Sequence, residues 1–124
     1  MDFDAGTTSV TINADEAPTV VNQITNAAVT TWTVTGDSLV TLTPALGAAV
    51  TTFTSATQTA GGLVATGVGA TTAMTGGAGA DNFTSGATTT VINAGTGNDT
   101  VTVNGVTTVW HSPNLVDTYR SALL

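Results

Sequence analysis

The sequence contains no cysteine and only one residue of the lysine and arginine type, Arg120. Without cysteine the fold cannot depend on disulfides, so an extracellular chain of this kind needs another source of stability. With a net charge of −7 it also lacks the cations that bind nucleic-acid phosphates. No apolar run reaches the roughly 18 residues that a membrane-spanning helix needs. We therefore expect no nucleic-acid partner and no membrane span.

Residues that carry catalysis are also scarce. The one histidine, His111, lies beside Ser112, and no Gly-x-Ser-x-Gly or His-Glu-x-x-His motif is present. A catalytic histidine needs both a nucleophile and an acid that orients it. We therefore expect that this chain is not an enzyme.

Threonine dominates what the sequence does contain, with 30 of 124 residues. Charged residues make up 7% and hydrophobic residues 41%, a balance that argues against disorder. Abundant β-branched residues favour strands, and strand patterns recur at intervals of roughly 9 to 12 residues. The fold class predicted is all-β. For residues 1–61 this spacing is equally typical of an irregular β-solenoid and of a small β-sandwich.

Three local patterns make more specific predictions. Residues 29–35 and 38–43 alternate polar and apolar side chains around a Gly-Asp turn, which predicts either a hairpin or consecutive solenoid strands. Asn104-Gly105 lies between two alternating runs and predicts a hairpin near the end of the chain. Residues 115–124 follow Asn114, a suitable N-cap, and predict a short final helix.

Two glycine-rich runs, residues 76–84 and 94–102, share one nine-residue frame. Each has Gly at the second and fourth places, Asp at the sixth, a large apolar residue at the eighth and Thr at the ninth. The two aspartates, Asp81 and Asp99, are 18 residues apart, which is two frames. The frame predicts stacked turns with one inward-pointing residue each, at Met74, Phe83, Ile92, Val101 and Trp110.

The pattern G-G-x-G-x-D-x-U-x, where U is large and apolar, is a calcium-binding parallel β-helix repeat. Residues 76–102, roughly a quarter of the chain, resemble the RTX (repeats-in-toxin) family of calcium-binding β-rolls. They are most similar to the repeat regions of secreted bacterial surface-layer (S-layer) proteins and adhesins. Carboxylate and carbonyl oxygens are the ligands that Ca²⁺ prefers. The resemblance implies a Ca²⁺ site at Gly76, Gly77, Gly79, Asp81, Gly95, Gly97 and Asp99.

These patterns divide the chain into a Thr-rich β region at 1–61, an RTX-like β-roll at 62–111, and a C-terminal cap or tail at 112–124. The resemblance implies a structural module that is secreted, stands at the cell surface and is stabilised by calcium. No apolar signal-peptide segment follows the acidic start of the sequence. RTX-like proteins use type I secretion, so we expect that route here.

Two alternatives remain open from the sequence. The first is a self-assembling filament, lattice or phage-type fibre subunit that needs no calcium, because few charges protect its strand edges. The second is a non-catalytic roll fragment of a secreted RTX-type enzyme. The expected partners are further copies of the chain and, as a second class, cell-surface polysaccharide. Survival of an assembly after chelation separates the first alternative from the calcium module.

Overall fold

The computed structural model describes residues 4–22, 28–43, 49–66, 73–86, 91–104, 108–110 and 118–121, with side chains up to residue 104. Within these ranges the chain forms β-strands and no helix, so none of the described residues provides a helix that could cross a membrane. The strands are β1 (Ser9–Ala14), β2 (Thr19–Asn22), β3 (Thr31–Gly36), β4 (Val40–Thr43), β5 (Thr52–Thr54), β6 (Leu63–Thr66), β7 (Ala73–Thr75), β8 (Asn82–Thr84), β9 (Val91–Asn93), β10 (Thr100–Val103), β11 (Thr108–Trp110) and β12 (Thr118–Ser121).

The strands alternate between two parallel sheets. The first sheet has the order β1-β3-β5-β7-β9-β11, and the second has the order β12-β10-β8-β6-β4-β2. Parallel neighbours need a long crossover connection, and here each connection runs through a strand of the other sheet. The chain is therefore a β-solenoid with two strands in each coil. This confirms the solenoid for residues 1–61 and excludes the β-sandwich, whose sheets are antiparallel.

The coils shorten along the chain. In the first sheet Val10 pairs with Trp32, 22 positions on, and Trp32 pairs with Phe53, 21 positions on. Met74 then pairs with Ile92 at 18 positions, and the second sheet shows the same step from Phe83 to the next strand. The 18-residue coil is the length of two nonapeptides. The glycine-rich frame therefore fits the coils of the second half, whereas the coils of the first half have longer turns.

The core lies between the two sheets. Trp32, Phe53, Met74 and Ile92 are in register in the first sheet and are all fully buried. Full burial of such side chains stabilises a fold by about 1.5–3 kcal/mol each. The inward positions predicted at Met74, Phe83, Ile92 and Val101 are confirmed, with exposed fractions between 0% and 4%.

The last coil departs from the nine-residue frame. Val109 is in register with Ile92, and Trp110 is in register with the exposed Asn93. The frame is therefore one residue shorter between β10 and β11. Val109, and not Trp110, therefore occupies the register position that follows Ile92, so the position predicted for Trp110 is wrong by one residue.

Two local predictions are wrong. Both neighbours of β10 are parallel, β8 and β12, so β10 does not pair with β11 in the predicted hairpin. Gly105 itself lies outside the described residues. Residues 118–121 are strand β12 and not helix. In both places the preceding coil offers a parallel ladder of backbone hydrogen bonds, which outweighs the local turn and capping signals. His111 and Ser112 lie outside the described residues.

Candidate metal centre

The seven predicted site residues lie in two turns on one edge of the solenoid. Residues 76–81 connect β7 to β8, and residues 94–99 connect β9 to β10. Since Thr100 pairs with Asn82, Asp99 follows Asp81 by one coil at the same corner. We call this pair of turns the turn stack. The structure thus brings together the residues that the nonapeptide frame selected.

Backbone hydrogen bonds join the turns of the stack. The Thr96 N–H donates to the Gly77 carbonyl at 2.8 Å, and the Thr100 N–H donates to the Asp81 carbonyl at 2.8 Å. The Gly76 N–H donates to the Asn93 carbonyl at 2.7 Å. Each turn is therefore fixed on its neighbour by the same kind of ladder that joins the strands.

Glycine is required where these turns touch. Gly97 has a φ of +138°, a conformation that L side chains rarely adopt, and a Cβ there would meet the Gly79 carbonyl oxygen. A Cβ on Gly76 would meet Asp81 Oδ2 and the carbonyl of Ala94. The glycines of the motif are therefore needed because successive coils lie too close together for a side chain at these positions.

Both aspartates are buried and hold the preceding coil. Asp81 Oδ1 accepts the Leu63 N–H at 2.7 Å, and its Oδ2 accepts the Gly77 N–H at 3.1 Å. Asp99 Oδ1 accepts the Asp81 N–H at 2.9 Å. The exposed fractions of the side chains are 2% for Asp81 and 1% for Asp99. Each carboxylate thus caps a backbone donor 18 residues earlier.

Both carboxyl groups of the stack are buried, and they are close enough for one to raise the pKa of the other. Burial is the main cause that raises the pKa of Asp81 from 3.8 to about 7, and the nearby Asp99 raises it further. Hydrogen bonds from Gly77 and Leu63 act in the opposite direction and lower the pKa. Because the whole chain has one basic side chain, Arg120, the stack has two ways to lose this charge. It can take up a proton or bind a cation.

The donor atoms of the stack fit a calcium ion in kind. They are all oxygens, as calcium prefers. The carbonyl oxygens of Gly77 and Gly79 point toward the next turn, where a Cβ on Gly95 or Gly97 would collide with them. A carboxylate oxygen that accepts one hydrogen bond keeps a second lone-pair site for a metal. The described residues contain no group of three His, Cys, Asp or Glu, so backbone carbonyls would supply most of the ligands.

Gln58 lies on the same edge, although no sequence pattern predicted it there. Its side-chain Nε2 donates to the Ser38 carbonyl at 2.6 Å, and its backbone carbonyl accepts the Ala78 N–H at 3.1 Å. The side chain is 2% exposed, and its Oε1 is buried with no hydrogen-bond partner among the described residues. The 55–62 turn is too long for the nonapeptide frame, so only its place in the fold relates it to the turn stack.

Three more acidic residues of the described ranges lie on this edge. Asp15, Glu16 and Asp37 lie in the two turns that lead from the first sheet to the second in the early coils. Asp117 continues the 18-residue spacing of the turn stack in the sequence and lies outside the described residues. The segments that lead back to the first sheet contain no charged residue at all. Apart from Asp2 and Asp4, which precede β1, the acidic residues therefore belong to the connections from the first sheet to the second, which we call the acidic edge.

Comparison of the chain with family models, with curated proteins and with solved structures produced no match. The function proposed below is therefore inferred from the geometry of the turn stack and from the resemblance of its two repeats to the calcium-binding nonapeptide.

Proposed function

We propose that this chain is a structural module of a secreted bacterial surface-layer or adhesin-type protein, in which Ca²⁺ bridges adjacent turns of the solenoid. The observation that carries the proposal is the pair of buried carboxylates, Asp81 and Asp99, at one corner of successive coils. Two buried like charges repel each other unless a proton or a cation neutralises them. The motif around them resembles a known calcium repeat.

Calcium binding would stabilise the fold by mass action. An ion that binds only the folded chain, at 100 times its Kd, adds about 2.7 kcal/mol to the free energy of unfolding. Calcium is scarce in the cytosol and abundant outside the cell, so the same binding would favour folding after export. The remainder of the solenoid serves as a rigid spacer, because neighbouring coils pair through backbone hydrogen bonds on both sheets.

The test is a calcium titration of the whole chain by calorimetry, together with melting curves in calcium and in EGTA. We expect the melting temperature of the wild type to rise by about 10 °C at 100 times Kd. Asp99→Asn keeps the shape of the side chain and removes its charge, so it should weaken calcium binding. Asp37→Asn is the matched control, since Asp37 lies on the acidic edge but outside the turn stack.

A wild-type chain that releases no heat with calcium, and melts at the same temperature in EGTA, would contradict the proposal. Equal loss of calcium binding in Asp37→Asn and Asp99→Asn would show that the site is not in the turn stack. Magnesium serves as the second control, because it demands a smaller and more regular octahedral site.

A calcium-independent assembly subunit is the second candidate, and one observation favours it. Both carboxylate oxygens of Asp81 already accept backbone N–H groups, so the turn is held without an ion. Among the described strands, β1 and β2 lie at the ends of their sheets and pair on one side only. Such edges are templates for a further chain. Light scattering with and without EGTA decides between the two, because this candidate predicts assemblies that chelation leaves intact.

A further inference from the structure

The outward face of the first sheet carries a regular array of hydroxyl groups. Across β1, β3, β5 and β7 the side chains on either side of the buried central residue form two rows in register. Seven of these eight outward positions are Ser or Thr, and the eighth is alanine. We call them the threonine array: Ser9, Thr11, Thr31, Thr33, Thr52, Thr54, Ala73 and Thr75.

Over these four coils Ser and Thr are more frequent on this face than on the other. Over the same coils the matching outward positions of the second sheet contain four threonines in eight: Val20, Asn22, Thr41, Thr43, Val64, Thr66, Asn82 and Thr84. The array ends at β7, because in the next coil the first sheet has Val91 and Asn93 outward, where the second sheet has Thr100 and Thr102. The threonine array contains no charged and no aromatic residue. Asp15, Glu16 and Asp37 lie in the connections after β1 and β3 and not in the array.

The spacing of the array follows from the geometry of a parallel sheet. Neighbouring strands lie about 4.7–4.9 Å apart, and residues two positions apart along a strand are separated by roughly 6.6–6.8 Å. The pairings from β1 to β7 run without a break in register, so these two distances repeat over the array. The side chains thus form a two-dimensional lattice in which each Thr offers a hydroxyl beside a methyl group.

Few hydroxyls of this lattice take part in hydrogen bonds among the described residues. Thr side chains that donate to protein carbonyls nearby are Thr30, Thr35 and Thr51, and all three lie outside the array. Within it, Thr54 Oγ1 accepts one N–H from Ala56 at 3.2 Å. Hydroxyls without a protein partner can each donate to and accept from water.

We propose that the threonine array binds the surface of ice. Oxygen atoms in hexagonal ice repeat at a distance close to the spacing between neighbouring strands, so water bound along a row of the array can join the crystal. Mineral surfaces require charged side chains, which the array lacks. Crystalline polysaccharide is held mainly by aromatic rings, which it also lacks. This inference rests on the first sheet alone and is independent of the calcium site.

The experiment measures thermal hysteresis and inhibition of ice recrystallisation by the whole chain in calcium. We expect both activities in the wild type and their loss in Thr33→Lys, which places a long charged side chain at the centre of the array. Thr33→Leu stays neutral but overfills the lattice position, so it should lose both activities too. The matched control is Thr84→Lys, at a half-buried outward position of the second sheet, which should behave as the wild type.

Circular dichroism and melting curves of each variant show that it is folded before its activity is compared. Absence of hysteresis and of recrystallisation inhibition in the folded wild type would overturn the inference. Equal losses in Thr84→Lys and Thr33→Lys would overturn it as well. Binding to crystalline cellulose or chitin without any effect on ice would assign the face to polysaccharide instead. A failure of calcium binding is read separately, from the melting curve in EGTA.

Discussion

In the absence of divalent cations, the stability of this fold should fall as the pH rises from about 4 to about 7, and Asp81 is the reason. Burial raises the pKa of its carboxyl from 3.8 to about 7, against the smaller opposing effect of two backbone hydrogen bonds. The folded chain therefore holds this proton more tightly than the unfolded chain does. The stabilisation is fully present below the unfolded pKa and is lost as the pH rises through the folded one.

The size of the effect follows from the two pKa values. A difference of about three pH units, at 1.36 kcal/mol each, amounts to about 4 kcal/mol between pH 4 and pH 7. Domains are stable by about 5–15 kcal/mol in total, so this loss is a large part of the margin. The proposed calcium site requires the ionised carboxylate, so on that proposal a saturating concentration of the ion should remove the decline or reverse it.

The assay is urea unfolding in EGTA at several pH values between 4 and 8, followed by tryptophan fluorescence. Trp32 is fully buried and reports on the core. The comparison is Asp81→Asn, which cannot titrate and places an amide group where Oδ2 accepted the Gly77 N–H. This variant should be less stable than the wild type at low pH, by about 1–3 kcal/mol, and should show a much weaker pH dependence.

Two results would refute the reasoning. One is a wild-type free energy of unfolding that stays level or increases from pH 4 to pH 7 in EGTA. The other is an unchanged slope in Asp81→Asn, which would assign the titration to another group. Asp37→Asn, on the same edge but in an exposed turn, is the control for the general effect of removing one acidic charge.

Three further substitutions test the packing of the coils, each by urea unfolding in calcium. Phe53→Ala should cost about 3–5 kcal/mol because it empties the centre of the core, and a cost below about 1 kcal/mol would contradict the burial described. Gly97→Ala should cost at least about 1–3 kcal/mol, since its φ is +138° and its Cβ would meet Gly79, whereas Gly6→Ala, with open space around it, should be nearly neutral. Glu16→Gly should raise stability by about 0.5–1 kcal/mol by relieving a φ of +74° in a residue with a side chain, and a loss of stability would show that this strain is absent.

The 18-residue coil of the second half was visible in the sequence. Asp81 and Asp99 repeat at two nonapeptides, and the frame around them identified the inward residues from Met74 to Val101. This prediction was possible because a short coil restricts which residues its turns and strands can contain. Its turn must contain glycine where coils touch, and its strand must place one apolar residue inward. Such requirements repeat at a fixed spacing, so they can be read without knowing which strands pair.

The rest was decided by the tertiary structure, because it depends on partners distant in sequence. Coils of 21 to 23 residues leave no regular signal in residues 1–61, and only the register shows that Val10, Trp32 and Phe53 form one column. The hairpin predicted at Asn104-Gly105 fails for the same reason, since a local turn signal contains no information about the ladder that the preceding coil offers. The burial of Gln58, the acidic edge and the threonine array likewise appear only when successive coils are stacked, because stacking decides which residues share a face.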